Sequence, residues 1–157
     1  MLKLYKLNEN KVLASESEGN IFLYVNPDDK EKKFLVDSFK IDEHTLNSSL
    51  DPDELARIEF EPEHIAIILK IPKTYSAKES LLFRVNSMGI FLFKDKLIAV
   101  MNEDIPIFNG KHFNKVITLN DVMLRMIFTA IVHFMEHLKV INILSDEIER
   151  KISTAME

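Results

Sequence analysis

The stretch HIAIILKI, from His64 to Ile71, is a nearly continuous run of apolar and mostly β-branched residues, interrupted only by Lys70. A strand with one solvated face alternates apolar and polar residues, whereas a run of this kind is typical of a strand buried on both faces. We therefore expect a central strand that is covered by other elements above and below the sheet.

Further strand patterns lie on both sides of this run. They are Met1–Leu7, Ile21–Val25, Leu55–Glu61, Leu81–Val85, Ile90–Phe93 and Leu97–Met101. Two short segments, Ser87–Gly89 and Lys94–Lys96, separate the last three, and this spacing favours an antiparallel meander. Five phenylalanines fall at strand positions, where aromatic side chains usually pack in a core. They are Phe22, Phe60, Phe83, Phe91 and Phe93.

Helix patterns alternate with the first strands. After Pro27, Asp28 and Asp29 can cap a helix that runs to about Phe39. A second short helix is predicted from Glu43 to Leu50, because the residue before Pro52 is disfavoured in the helical region. Strand–helix units followed by a meander predict an α/β fold with a mixed β-sheet.

The C-terminal part of the sequence predicts one long helix. It contains no proline or glycine after residue 110, and Thr118 with Asp121 resembles a capping pair. Apolar residues then recur at alternating spacings of four and three, which is the pattern of a coiled-coil seam. The seam consists of Ile127, Ile131, Phe134, Leu138, Ile141, Ile148 and Ile152, with Ser145 in the one gap. Other faces are also apolar up to about Leu144, so we expect the first half to pack on several sides and the charged tail to project.

The predicted division of the chain is a mixed-sheet part, residues 1–117, followed by a helical segment, residues 118–157. A helix that keeps its apolar seam beyond its packed half needs a partner, since an isolated amphipathic helix is marginal in water. No partner helix follows, so we expect this chain to be the front part of a longer protein. The uncharged apolar stretch Met126–Met135 has about half the length that a membrane crossing needs, which predicts a soluble fragment.

Composition excludes several classes of function. The 157 residues include no cysteine, which rules out disulfides, thiolate metal sites and cysteine nucleophiles. The three glycines lie far apart, so no glycine-rich loop can surround a phosphate. The net charge of −5 provides no positive field for a phosphate backbone, and nucleic acid is not expected as a partner.

The segment His133–His137 has the H-x-x-E-H spacing of inverted zinc proteases. In such a site two histidines one helical turn apart hold the metal, but a third protein ligand and an open cleft are also needed. The residues that follow all belong to the same predicted helix. We therefore predict that the chain is not an enzyme and that the two histidines flank a packed seam.

Six acidic residues crowd residues 51–63. They are Asp51, Asp53, Glu54, Glu59, Glu61 and Glu63. An EF-hand starting at Asp51 is excluded, because Ala56 would occupy the position of the invariant glycine. Two interpretations remain open. Asp51, Asp53 and Glu54 could hold a weak, water-rich Mg²⁺, which commonly takes only one or two carboxylates, or the segment is a solvated acidic edge with Arg57 as its counter-ion.

The stretch FKIDEHTLNSSLDPDELARIEF, from Phe39 to Phe60, resembles the cytoplasmic domain of CorA-type magnesium transporters. In that family a short helix with a pattern like F-x-I-H-P-L-x-L-E-D-x-L precedes a basic residue, an aliphatic residue and a glutamate that open a buried strand. Arg57–Glu59 and the strand Ile65–Leu69 fit those places. Leu97–Val100 is similar to the strand before the family's helical part, and Ser145–Glu149 is similar to the acidic stretch of its long cytoplasmic helix.

The resemblance implies an α/β/α sandwich, in which a mixed β-sheet is flanked by helices and followed by a long C-terminal helix. This domain would hang into the cytoplasm below a pentameric channel for Mg²⁺ and Co²⁺. Attachment to the membrane would come only through a C-terminal part, with a Gly-Met-Asn signature, that is not in this sequence. The expected function is therefore that of a regulatory domain at the cytoplasmic face of the cell membrane, whose subunit packing gates the channel. Its partners would be copies of itself and divalent cations.

One departure from the family pattern bears on ion sensing. A gapless match of the short helix places Asn47 and Ser48 where the family commonly has a Glu-Asp pair that binds regulatory ions between subunits. Neutral side chains cannot supply that charge, so Asp51, Asp53 and Glu54 are the nearest substitutes for a regulatory Mg²⁺ site. The alternative function is a stand-alone intracellular interaction module that dimerises through the helix at residues 119–152.

Overall fold

The computed structural model describes residues 1–73, 83–108 and 111–156. The strands are β1 (Leu2–Asn8), β2 (Lys11–Ser15), β3 (Ile21–Val25), β4 (Arg57–Phe60), β5 (His64–Pro72), β6 (Val85–Phe93) and β7 (Leu97–Met101). The helices are α1 (Asp29–Phe39), α2 (Glu43–Ser48) and α3 (Leu119–Ala155), with one 3₁₀ turn at Lys111–Phe113 before α3.

The described strands form one seven-stranded sheet in the order β2-β1-β3-β7-β6-β5-β4. Strands β3 and β7 run parallel, with Ile21 beside Leu97 and Val25 beside Met101. The other neighbouring pairs in this described sheet are antiparallel. The prediction of a mixed sheet is therefore confirmed, and so is the antiparallel pairing of the predicted strands Ile90–Phe93 and Leu97–Met101.

The sheet lies between two helical layers. Ile67, Leu69 and Ile71 of β5 belong to one core together with the α3 residues Val122 and Met126. Ala66 of the same strand belongs to a second core, on the opposite face, with Phe91, Leu35 of α1 and Leu46 of α2. Alternate side chains of β5 thus enter opposite cores, which is why the run at His64–Ile71 shows no polar alternation. The predicted α/β/α sandwich with a long C-terminal helix is confirmed.

The caps of α1 and α2 explain where these helices begin and end. Asp28 accepts a hydrogen bond from the backbone N–H of Glu31 at 2.8 Å, and Glu31 caps Asp28 in return. Asp42 caps α2 through the N–H of Thr45. α2 ends at Ser48 rather than at Leu50, because the next N–H groups bond three residues back and tighten the chain into a turn before Pro52.

The predicted turn at Ser87–Gly89 is wrong. β6 runs unbroken from Val85 to Phe93, and these residues pair with β5 along its whole length. Ser87 and Gly89 are small because α2 approaches this strand closely. A Cβ atom at residue 89 would lie 2.0 Å from Ser49 Oγ. Of the predicted strand Leu81–Val85, the first two residues lie outside the described residues, the next two precede the strand, and Val85 begins β6.

The five phenylalanines do not share one environment. Phe91 is fully buried, while Phe22 and Phe93 pack at the margin of the core beneath α1 and α2. Phe83 precedes β6, and its ring contacts that of His137 at a centroid distance of 5.5 Å. Phe60 is 80% exposed, so its assignment to the core is wrong. β4 is the last strand of the described sheet and has no neighbouring strand on its outer side. No pattern in the sequence predicts this edge position.

Helix α3 packs with one face rather than with several. Its buried residues are Val122, Met126, Ala130 and His137, spaced so that they share one side of the helix. Leu124 and Met135 in the same half are 57% and 52% exposed, so the prediction that this half packs on several sides is wrong. No described residue after His137 is buried, which confirms that the tail projects.

Candidate functional site

The acidic segment is organised by a network that joins α2 to β4. We call it the α2–β4 network; its members are Thr45, Ser48, Glu54, Arg57 and Glu59. Arg57 donates through Nε to Glu59 Oε1 at 2.6 Å and through Nη2 to Ser48 Oγ at 3.0 Å, and its Nη1 lies 3.0 Å from Glu54 Oε1. Thr45 Oγ1 donates to Glu59 Oε2 at 2.8 Å. One guanidinium thus connects two carboxylates and the helix that carries Ser48.

Charge and hydrogen bonding stabilise the ionised form of each charged member. The Ser48 hydroxyl, which donates to Glu54 at 3.0 Å, is the main cause that lowers the pKa of Glu54. The hydrogen bond from Arg57 lowers the pKa of Glu59, and Glu59 in turn raises the pKa of Arg57. All three groups therefore stay charged at neutral pH, and Arg57 is the counter-ion that the second interpretation of the acidic segment requires.

The three residues predicted to hold Mg²⁺ are placed differently. Asp51 Oδ1 accepts a hydrogen bond from the N–H of Asp53 at 2.9 Å, and both side chains are exposed. Glu54 uses both carboxylate oxygens inside the α2–β4 network. In the ranges that the structure describes, no three His, Cys, Asp or Glu side chains are grouped closely enough to hold a metal ion. The Mg²⁺ site therefore stays a prediction. Such a site would use at most two protein carboxylates as ligands.

Asn47 and Ser48, the departure from the family pattern, have different environments. Asn47 is exposed, whereas Ser48 is 2% exposed. The Ser48 hydroxyl accepts from Arg57, donates to Glu54 and lies 3.2 Å from His44 Nδ1. Sequence reasoning recognised Arg57 as a counter-ion but missed Ser48 as its partner. The nine-residue separation of these two side chains gives no local signal, because only the fold brings them together.

Among the described residues, the H-x-x-E-H segment is not part of any group of three side chains that could bind a zinc ion. The rings of His133 and His137 lie 4.8 Å apart, and His137 is buried against Phe83. Glu136 between them is exposed. Burial is the main cause that lowers the pKa of His137, followed by the charge of His133. His137 belongs to the buried row of α3 and His133 lies half-buried beside it, with no third ligand grouped near them among the described residues.

A second buried histidine makes stability depend on pH. His64 is 5% exposed, packs against the rings of Phe91 and Phe93, and has no hydrogen-bond partner for Nδ1 within the described structure. Burial lowers its pKa below the ordinary 6.5. The unfolded chain therefore binds more protons than the folded one as the pH falls below about 6.5, and stability is lost in that range.

We expect the free energy of unfolding in urea to be lower at pH 5.5 than at pH 7.5. His64→Phe should reduce that difference, because the phenyl ring keeps the aromatic contacts but cannot bind a proton. His112→Gln, at a less buried histidine, is the matched control and should leave the difference unchanged. An equal pH dependence in the parent and in His64→Phe would refute this role of His64.

The apolar seam of α3 is exposed along much of its length in the described structure. Ile131, Leu138 and Ile148 are 54%, 49% and 58% exposed, and Ile152 is 56% exposed. By length and composition alone, α3 would also be long and apolar enough to cross a membrane. That is weak evidence, because a core helix can meet the same criterion, and a buried row of α3 packs on the sheet. A seam of this kind on a projecting helix is typical of contact with another helix.

Comparisons with known proteins give consistent results. The family model described as CorA-like Mg²⁺ transporter protein matches residues 17–157. No individual curated protein matches the chain. Among solved structures, the soluble domain of CorA from Methanocaldococcus jannaschii superposes with a TM-score of 0.71 at 16% identity, covering 98% of this chain and 64% of that one.

Two further structures share the fold. The complete CorA magnesium transporter from Methanocaldococcus jannaschii gives a TM-score of 0.65 at 16% identity, covering 98% of this chain and 50% of that one. The cytoplasmic domain of ZntB from Vibrio parahaemolyticus RIMD 2210633 gives 0.67 at 12% identity, covering 92% and 63%. The chain thus spans half of the complete transporter and just under two thirds of the two separate domains. These likenesses show the fold, and the family-model match over residues 17–157 shows that the chain belongs to the CorA-like Mg²⁺ transporter family.

Proposed function

We propose that this chain is the cytoplasmic regulatory domain of a pentameric channel for Mg²⁺ and Co²⁺ and that packing between subunits gates the channel. The observation that carries this proposal is the exposed seam of α3, in a chain whose family consists of ion transporters. Membrane attachment would come through a C-terminal part outside this sequence. The domain would then lie at the cytoplasmic face of the cell membrane.

The seam is suited to transmit a change in packing because it continues past the body of the domain. Ile131 and Leu138 are in the part of α3 that also carries the buried row, whereas Ile148 and Ile152 belong to the projecting tail. Contacts along one stiff helix would therefore couple the position of the sandwich domain to that of the tail. Gating requires two different arrangements of the packed helices. These exist only if the partner helix can shift along the seam or away from it.

Weak ion binding could bias such an assembly. An ion present at its dissociation constant favours the bound state by about 0.4 kcal/mol per site, so five equivalent sites would supply about 2 kcal/mol. Asp51 and Asp53 are the exposed carboxylates available for this contact, while Glu54 would have to leave Arg57 in part. The proposed sensing ion is a water-rich Mg²⁺ at this turn.

The sensing proposal predicts a small thermal effect in this chain. Millimolar Mg²⁺ should raise the melting temperature by about 1 °C, because about 0.4 kcal/mol at one site corresponds to a shift of that size in a domain of this length. The double variant Asp51→Asn with Asp53→Asn should lose the shift. Glu16→Gln with Glu18→Gln removes two exposed carboxylates elsewhere and should retain it. If the parent shows no shift even at tenfold higher Mg²⁺, the ion site is excluded.

The rival function, a stand-alone intracellular module that dimerises through residues 119–152, rests on the same exposed seam. The coding sequence beyond Glu157 separates the two. Two apolar segments of about twenty residues each, with Gly-Met-Asn after the first, would support the channel. A stop codon after Glu157 would support the module and contradict the channel.

A further inference from the structure

β4 is one of the two edge strands of the described sheet. At the opposite edge, Lys11 at the start of β2 also pairs with Asn114, which covers part of that strand. Natural edge strands are usually protected from pairing with another chain by proline, lysine or a bulge. β4 contains no proline or lysine and pairs with β5 without a bulge, and its two charged side chains pair with each other. The β4 edge is therefore open to one more strand.

The backbone groups of β4 that face the free edge belong to Ile58 and Phe60. The N–H of Glu61 donates to the carbonyl of His64 on β5 at 2.9 Å, so the backbone of Glu61 faces β5. Backbone groups alternate in direction along an antiparallel strand, and those of Glu59 therefore also face β5. The N–H and C=O groups of Ile58 and Phe60 then point away from β5, toward the edge.

The side chains of β4 divide into an apolar face and a charged face. Ile58 and Phe60 lie on the face of the sheet that carries α3, because their partners on β5 belong to the core beneath that helix. These two side chains are 57% and 80% exposed. Arg57 and Glu59 lie on the opposite face, where they bond to α2. One short strand thus presents two apolar side chains, one positive charge and one negative charge.

We propose that β4 pairs with β4 of a second copy of this chain, in antiparallel orientation and with the two-fold axis at Ile58. In this register, Ile58 lies opposite Ile58 of the second copy, and Phe60 lies opposite Ala56. These are the positions whose backbone faces the edge, so both pairs can exchange N–H···O=C hydrogen bonds. The two sheets would join into one. The inference goes beyond the proposed function and does not depend on it, because the contact is made by β4 rather than by α3.

Charge complementarity selects this register. With the axis at Ile58, Arg57 of each copy lies opposite Glu59 of the other, in a non-hydrogen-bonded pair, where side chains approach most closely. An axis at Arg57 or at Glu59 would place two like charges directly opposite each other, and an axis at Phe60 would oppose Glu59 and Glu61. A shift by one residue would set backbone groups that face the edge against groups that face β5. The register at Ile58 alone among these combines free backbone groups with opposite charges.

The exposed surface fits a weak, reversible contact. Ile58 and Phe60 together offer on the order of 250 Å² of apolar surface per copy, because a large side chain has about 150–250 Å² in full. A standard interface buries about 800 Å² per partner, and contacts below that size are typical of transient complexes. We expect a dissociation constant on the order of 100 µM, so the paired form is populated only at high protein concentration.

The test is amide hydrogen exchange of this chain, measured residue by residue by NMR at two concentrations. Between about 20 µM and about 1 mM, exchange at Ile58 and Phe60 should slow by about fourfold, which is the ratio of unpaired chains expected for the dissociation constant above. The amide of Glu59 faces β5 and is the matched control within the same strand. Its exchange should be slow at both concentrations.

Variants separate this contact from association through α3. Ile58→Lys sets two positive charges against each other at the axis, so it should abolish the concentration-dependent protection of Phe60 while leaving Glu59 protected. Ile58→Thr keeps a β-branched side chain and is the matched control, which should retain the protection. Ile148→Asp, in the tail of α3, should also retain it.

Cross-linking gives an independent readout, because the chain contains no cysteine and one introduced thiol can only link two copies. Ile58→Cys should form disulfide dimers at least tenfold faster than Phe34→Cys, at a half-exposed residue of α1, since pairing holds the two Cα atoms about 5.5 Å apart. Equal rates would overturn the proposal. Exchange at Ile58 and Phe60 that does not depend on concentration would overturn it as well, and either result would leave the proposed packing through α3 untouched.

Discussion

Phe91→Ala is expected to lower the free energy of unfolding by about 3–5 kcal/mol, which is the usual cost of removing a buried aromatic ring. Phe91 is fully buried in the core beneath α1 and α2, where its ring lies 5.8 Å from that of His64. Truncation would leave a cavity in the middle of β6 that α2 cannot fill without breaking its contacts. For a domain of this size, the melting temperature should fall by roughly 10 °C.

Phe60→Ala is the matched control for this substitution. Phe60 is the same residue type and also lies in a strand, but it is 80% exposed at the sheet edge. Urea unfolding at low protein concentration, where association does not contribute, should give a change within about 0.5 kcal/mol. Equal losses for the two variants would contradict the assignment of Phe91 to the core and of Phe60 to the surface.

Gly89→Ala should be the second severe substitution, costing about 3 kcal/mol, at the upper end of the range for overpacking a core. The added Cβ would lie 2.0 Å from Ser49 Oγ and 2.7 Å from Ser49 Cβ, and it would also approach Phe91 at 3.1 Å. The strand cannot shift, because β6 is paired on both sides. We therefore expect α2 to be pushed outward, together with the network that Ser48 anchors.

A second substitution tests that explanation. Ser49→Gly removes both of the Ser49 atoms that the new methyl group would meet. The double variant should recover most of the stability lost by Gly89→Ala, measured against Ser49→Gly alone in urea unfolding. Additive losses would show that the close approach of Ser49 is not the cause.

Local sequence patterns predicted most of the elements but not how they are arranged. The caps at Asp28 and Thr118 and the doubly buried strand at His64–Ile71 depend on residues close in sequence, and the structure confirms them. The turn at Ser87–Gly89 was wrong because small residues also serve where two elements approach closely. Nothing in one strand's sequence tells whether it lies at the edge of a sheet, so the exposure of Phe60 could not be predicted.

In the candidate site too, contacts between residues close in sequence were predictable, whereas contacts between different elements were not. The crowding of carboxylates around Arg57 was visible in the sequence, and Arg57 indeed pairs with Glu54 and Glu59. Ser48 completes the network from another element, and that contact exists only in the folded chain. The seam of α3 was predicted from its spacing, whereas which residues of the helix are buried depends on the side that meets the sheet.

The most direct measurement is Mg²⁺ entry into liposomes that contain the proposed full-length channel. Under an inward Mg²⁺ gradient, an entrapped Mg²⁺-sensitive dye should report uptake well above that of protein-free liposomes, and Leu138→Asp in the seam should change the rate. Pentamers that insert correctly and yet admit neither Mg²⁺ nor Co²⁺ would contradict the proposed function.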